Sequence, residues 1–313
     1  MDAGVVVVTG GAGFLGSWLC RRLLDEGYGV VSIDDHSTGR AANVTDLASH
    51  PRFTARTADV CDGIEVDGPV AGVMHLASPA SPPAYQRLAV ETLRVGSIGT
   101  FAALELAERK AARFLLASTS EVYGDPLEHP QTESYWGNVN PVGPRSMYDE
   151  AKRFSEAATA TYRRASGVNT GIVRIFNTYG PQMDPGDGRV VPNFIAQALR
   201  GEPMTVFGDG SQTRSLCHVR DTVGALVAML SSEHPGPINI GNPNEVSMLD
   251  LASEIAGAVG VETDVRFVDL PGDDPQVRCP DITLAGQVLG WKPEITRADG
   301  LAETVAWFRS EGI

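Results

Sequence analysis

Apolar residues recur along the chain in two alternating patterns. Gly4 to Thr9 reads GVVVVT, the unbroken β-branched run of a parallel strand buried on both faces. Phe14 to Glu26 then places Leu15, Leu19, Leu23 and Leu24 at helical spacing and stops at Gly27. A second short run, Val30 to Ile33, ends on Asp34 and Asp35. Strand-like runs return at Phe53 to Arg56, Val70 to Leu76, Phe114 to Ser118 and Asn169 to Ile175. Helical patterns fill the gaps, notably Val90 to Arg109 and Tyr148 to Ser166. Strands alternating with helices predict an α/β fold, a doubly wound parallel sheet covered on both faces.

After Ile175 the pattern changes. Asn177 to Gly188 is rich in Gly, Pro and Asp and reads as loop. A helix over Val190 to Leu199, a strand over Met204 to Phe207, a turn at Gly208–Asp209–Gly210 and a helix over Thr222 to Leu230 follow. The last third predicts a helix (Met248 to Val259), a strand (Val265 to Val268), a Pro/Asp-rich loop over 271–280 and helices to the end. The expected organisation is a dinucleotide-binding domain over 1–176 and 213–238, with a smaller α/β cap over 177–212 and 239–313.

Charge and cysteine usage narrow the partners. The 313 residues carry 39 acids and 25 Lys plus Arg, a net charge of −14, which argues against a nucleic-acid backbone or an anionic membrane. A local arginine cluster still allows an anionic small ligand. Cys20, Cys61, Cys217 and Cys279 lie far apart with no C-x-x-C pair, so no structural zinc pattern and no disulfide framework is expected. Free thiols, no bilayer-length apolar run and no signal-peptide pattern give the expectation of a cytoplasmic protein without a metal.

Gly10, Gly13 and Gly16 form G-x-x-G-x-x-G between the first strand and the first helix. Such glycines bring backbone N–H groups close to a pyrophosphate at the positive end of a helix. Phe14 and Leu15 lie within this loop. Asp34 ends the next strand, 18 residues after Gly16, where a carboxylate accepts bonds from a ribose diol and repels a 2′-phosphate. That favours NAD over NADP. Asp35, Ser37, Thr38 and Gly39 beyond that strand, Asp59 and Val60 after the third, and Leu76, Ala77 and Ser78 at the end of the fourth complete the candidate cofactor set.

Tyr148 and Lys152 form Y-x-x-x-K, a spacing that puts both on one helix face. An ammonium beside a phenol is expected to lower the phenol's pKa and make it a usable base. Thr119 and Ser120, in STSEVYG at the end of the fifth strand, are placed to bond a sugar hydroxyl.

With these motifs the chain resembles the extended short-chain dehydrogenase/reductase family, which includes nucleotide-sugar epimerases, dehydratases and decarboxylases. The resemblance runs from VTGGAGFLGSWL to LGWKPE. Within the family, HLASPASPPAY, LLASTSEVYGDPLEHPQTE, YDEAKR, INIGNP, DDPQVRCPDI and the long stretch over 173–215 look most like the branch that decarboxylates UDP-glucuronate through a 4-keto intermediate. The resemblance implies roles for Glu121 and Arg278 in the decarboxylation, beside Thr119, Ser120, Tyr148 and Lys152. It implies Arg214 and Asn177 on the diphosphate, Phe207 and Gln212 on the nucleotide, Thr178 and Arg189 near cofactor and sugar, and Asn193 on the substrate. It implies a homodimer in which the helices over 90–109 and 148–166 pack on a second copy, with Ala151, Phe154, Ala158 and Tyr162 along the shared side. The alternatives are a nucleotide-sugar epimerase or dehydratase and a non-catalytic NAD-binding protein. Three positions depart from the family pattern: Gly96, where Asn is usual and a loosened helix is expected, Gln182, where Arg is usual, and the His218–Arg220 pair.

Overall fold

The apolar runs assemble into one parallel sheet. In the computed structural model, which describes residues 4–269 and 277–313, the strands are β1 (Val5–Thr9), β2 (Gly29–Asp34), β3 (Phe53–Thr57), β4 (Gly72–His75), β5 (Arg113–Thr119) and β6 (Thr170–Ile175), joined by Ile238–Ile240. Their order across the sheet is (Ile238–Ile240)–β6–β5–β4–β1–β2–β3, with every neighbouring pair parallel. The chain builds β1 to β3 toward one edge and then crosses to β4 on the other side of β1. A ligand crevice opens at such a switch point, beyond the carboxyl ends of the strands.

The unbroken β-branched run of β1 has its physical reason here. Val6 and Val8 pack on one face with Leu19 and Leu23 of the helix Phe14–Asp25 and Leu226 and Met229 of the helix Val219–Leu230. Val7 points the other way, among Leu104 and Leu106 of Thr100–Lys110 and Ala158 of Ser146–Ser166. Both faces are dry, so neither set of alternate positions tolerates a polar residue. Truncating the fully buried Leu19 to Ala would cost about 2–5 kcal/mol.

A separate core forms where Ile195, Leu251, Ile255, Leu301, Val305 and Phe308 meet. Met204–Phe207 pairs in parallel with Val265–Val268, and Thr213–Ser215 pairs antiparallel with Glu245–Ser247. Residues 239–240 complete the outer strand of the main sheet, and Ala285 packs into the sheet's core. Of the predicted 271–280 loop, 271–276 fall outside the described residues.

The predicted helix over 90–109 is continuous but uneven: Ala89–Arg94, a π-turn Val95–Gly99, then Thr100–Lys110. Gly96 lies in that turn, where α-helical bonding gives way to π. A β-carbon at Gly96 would sit 2.6 Å from the Ala151 β-carbon, so glycine lets the two helices close. The Gly96 carbonyl accepts from Thr100 Oγ1 (2.9 Å) one turn on and from Ser155 Oγ (2.8 Å) across the contact. The expected outer stripe is accordingly split. Ala151 and Ala158 are buried within the chain, while Phe154 stays half-exposed, edge-on to Phe101.

Candidate active site

β1 ends at Thr9, and the chain turns through Gly10 (φ 71°) toward the helix Phe14–Asp25. A β-carbon at Gly10 would lie 2.8 Å from the Ala77 backbone nitrogen, at the mouth of β4. Gly13, the residue capping the helix, has no side chain to bond its first-turn N–H groups, which stay available to an anion. At the end of β2, Asp34 accepts from the backbone N–H of Ala12 (3.0 Å) and His36 (2.8 Å). Burial raises its carboxyl, with those two bonds opposing. A bare helix start and a buried carboxylate at the next strand end fit the pyrophosphate and ribose of NAD. They line one cavity of about 1110 Å³ with every other candidate cofactor, catalytic and substrate residue of the sequence reading.

The reacting groups sit where β5 ends and the helix Ser146–Ser166 begins. Thr119 closes β5, and its hydroxyl accepts from Glu121 N at 3.2 Å, starting the short turn Ser120–Tyr123. Ser120 is buried in that turn. Lys152 donates to the Ala117 carbonyl (3.0 Å), with its ammonium 5.9 Å from the centre of the Tyr148 ring. Burial lowers Lys152 to about 8, against the pull of Glu156.

The phenol does not titrate as the motif suggests. Burial and then Glu121 push Tyr148 up to about 12, outweighing the Thr119 hydrogen bond and the Arg189 charge. Lys152, whose ammonium bonds the Ala117 carbonyl, is not among the leading influences on the phenol, whereas the Glu121 charge raises it.

Glu121 is clasped. Arg278 meets both of its carboxylate oxygens, and Arg145 donates to Oε2 at 2.5 Å. Burial favours the neutral acid, but Arg278 and then Arg145 outweigh it and hold the carboxyl below its usual range. Neighbouring Asp149 has no such clasp. Burial, then Glu121, raises it to about 7, and its Oδ1 has no hydrogen-bond partner among the described residues. Tyr85 stacks on Tyr148 at 5.0 Å and 11°.

Arg145, Asp149 and Tyr85 are absent from the candidate set of the sequence reading, though Arg145 and Tyr85 line the cavity and Asp149 follows Tyr148 in the helix. The available signals were local. Arg145 precedes Tyr148 by three residues at the helix start, and Tyr85 ends the HLASPASPPAY segment.

Also lining the cavity, Arg189 makes a two-point ion pair with Asp187 and its charge reaches Tyr148, and Gln212 donates to the Phe207 carbonyl at 2.7 Å. Phe207 leaves 41% of its surface exposed. Asn177, Asn193 and Arg214 belong to the same lining. Thr178 is buried and donates to the Phe176 carbonyl. Gln182 accepts from Ser17 Oγ (2.9 Å) and Arg21 (3.4 Å), fastening its loop to the first helix. His218 lies outside the cavity, edge-on to Tyr179 at 5.5 Å, as a packing histidine.

The chain is similar to known proteins. Residues 6–241 match the model of the NAD dependent epimerase/dehydratase family. The chain is 50% identical over 305 residues to UDP-glucuronic acid decarboxylase 1 of Arabidopsis thaliana, covering 97% of this chain and 70% of that one. Among solved structures it is similar to UDP-N-acetylglucosamine 4-epimerase from Methanobrevibacter ruminantium, with a TM-score of 0.90 and 27% identity over 99% of this chain and 100% of that one. It is also similar to UDP-glucuronic acid 4-epimerase from Bacillus cereus in complex with UDP-glucuronic acid and NAD, with a TM-score of 0.86 and 27% identity over 98% of this chain and 99% of that one. With the glycine turn, the carboxylate ending β2 and the Tyr–Lys pair in one crevice, the chain belongs to the NAD-dependent epimerase/dehydratase family.

Proposed function

We propose that this chain is an NAD-dependent UDP-glucuronate decarboxylase, yielding UDP-xylose and CO2. The observation that carries the reading is the arginine-clasped Glu121 beside Tyr148, at the end of the strand that bears Thr119. The half-identical Arabidopsis relative is named for the same activity.

Gly10, Gly13 and Asp34 would hold the cofactor. Bound NAD+ supplies a hydride acceptor for sugar C4 and a positive charge near the reacting hydroxyl. Tyr148 takes the proton of the 4-hydroxyl, with Thr119 bonding the phenol and the Lys152 ammonium beneath it. Oxidation at C4 leaves the C6 carboxylate β to a ketone, which takes up the electrons as CO2 departs; C5 would then be reprotonated and the C4 ketone reduced by the hydride removed at the start, giving UDP-xylose with no net redox change. Arg278 and Glu121 orient that carboxylate and manage the proton at C5, while Ser120 holds the sugar. Arg214 and Asn177 receive the diphosphate, Phe207 stacks on uracil, Gln212 contacts the nucleotide, and Arg189 and Asn193 border the sugar.

The division into a cofactor domain and a sugar-binding cap, a homodimer and a cytoplasmic location belong to the same reading. They are supported by the two separate cores, by an exposed aromatic face on the long helices and by four free thiols. No helix of the described residues is long and apolar enough to cross a membrane.

Incubating the protein with UDP-glucuronate and NAD+, and measuring CO2 and nucleotide-sugar mass, tests the function. Loss of CO2 with formation of UDP-xylose is expected. An isomer of equal mass would make it an epimerase, and no change would leave a binding protein.

A further inference from the structure

Beyond the cavity wall, three potential metal ligands meet that no spacing in the sequence joins. His129, Glu245 and Cys279 place one donor atom each within 4.8 Å of the others. None of the three lines the cavity. His129 Nε2 and Glu245 Oε2 are 3.0 Å apart, while Glu245 Oε1 accepts from Thr213 Oγ1 at 2.6 Å. The Cys279 sulfur lies 3.4 Å from the Pro243 carbonyl.

The backbone beneath these side chains is tied together by one buried residue. Gln131 donates its N–H to the Cys279 carbonyl (2.9 Å), and its Oε1 accepts from Cys279 N (2.9 Å). Its Nε2 donates to the Glu128 carbonyl (2.7 Å), next to His129. A second feature points the same way. Ser215 faces Glu245 across the antiparallel strand pair, is 1% exposed, and its hydroxyl has no hydrogen-bond partner among the described residues. It neighbours the Cys279 side chain.

We propose that His129, Glu245 and Cys279 form a Zn2+ site. One thiolate, one imidazole and one carboxylate are a donor set that suits this borderline-soft ion, with the fourth position left to water or the Ser215 hydroxyl. Zinc bonds of roughly 2.0–2.3 Å place ligand atoms about 3.5 Å apart, so the widest separation, within 4.8 Å, closes by about 1 Å while the 3.0 Å His129–Glu245 contact opens slightly. The exposed His129 ring supplies that movement. Binding replaces the Cys279 S–H bond with S–Zn and releases the proton to solvent. The ion would pin the segment that also carries Arg278, holding it on Glu121 and slowing turnover. That effect on rate rests on the proposed reaction, whereas the binding does not.

Co2+ is the probe, added to the untagged protein without substrate, so the result stands apart from the sugar chemistry. The wild type should take up one ion with a thiolate-to-cobalt charge-transfer band, displaced by one equivalent of Zn2+. Cys279→Ser should abolish the band and Cys61→Ser should keep it. His129→Ala, at an exposed site that leaves the fold intact, should weaken Zn2+ at least about tenfold, as should Glu245→Gln. A missing band in the wild type, a band that survives Cys279→Ser, or unchanged affinity in His129→Ala overturns the site.

Discussion

Arg278 and Glu121, 157 positions apart in the chain, meet as a two-point ion pair, with the carboxylate also held by Arg145. The clasp keeps Glu121 ionised despite its burial, so it stands ready to accept a proton rather than to give one. Charge-assisted, two-point pairing also fixes the direction of both groups. A second anion entering this pocket, such as a substrate carboxylate, would compete with Glu121 for the same two guanidinium groups.

Glu121→Gln keeps size and hydrogen bonding but removes the charge. It should slow CO2 release at least about a hundredfold, the low end for one positioned acid–base group. Arg278→Ala should act likewise, and neither should disturb NAD binding, which depends on other segments. Single-turnover absorbance of the reduced cofactor, followed with CO2 release, separates the two steps. Wild-type CO2 release in Glu121→Gln would return Glu121 to a structural role.

Tyr148→Phe removes one hydroxyl and leaves the glycine turn untouched. Turnover should vanish while NAD affinity, read by calorimetry, stays near the wild-type value. Retention of even a tenth of the activity would require another base.

Asp149 should leave a pH signature in stability. Its folded carboxyl titrates at about 7 against 3.8 for the free group, so the fold binds that proton more tightly than the unfolded chain. The stability gained from it is full below about pH 4 and lost as pH rises through about 7. Asp149→Asn should therefore be more stable than wild type at pH 8, by on the order of 2–4 kcal/mol, and the gap should close near pH 4. Urea unfolding at both pH values measures it, and an equal gap at each would remove the titration argument.

Phe101 and Phe154 meet edge-on at 5.6 Å on the outer face of the long helices, near exposed Val90, Leu93 and Ile98. A monomer would leave this patch in water, so a dimer is expected at micromolar concentration. The double substitution Phe101→Glu, Phe154→Glu should give monomers in sedimentation experiments. A wild-type monomer would overturn the dimer.

The sheet, the glycine turn and the Tyr148–Lys152 pair were all legible in the sequence. Each rests on a short-range rule: two-residue alternation in strands, 3.6-residue spacing in helices, or a turn that only small residues allow. That Glu121 and Arg278 belong together was legible only through family resemblance, since no local rule joins positions so far apart. Tertiary structure alone decided that Arg145 would share the clasp, that Tyr85 would stack on Tyr148, and that His129, Glu245 and Cys279 would converge. It also reversed the expected titration of Tyr148. Spacing places Lys152 on the right helix face, but a pKa depends on the water removed and on every charge brought near. Those depend on how distant segments pack, which local periodicity does not encode.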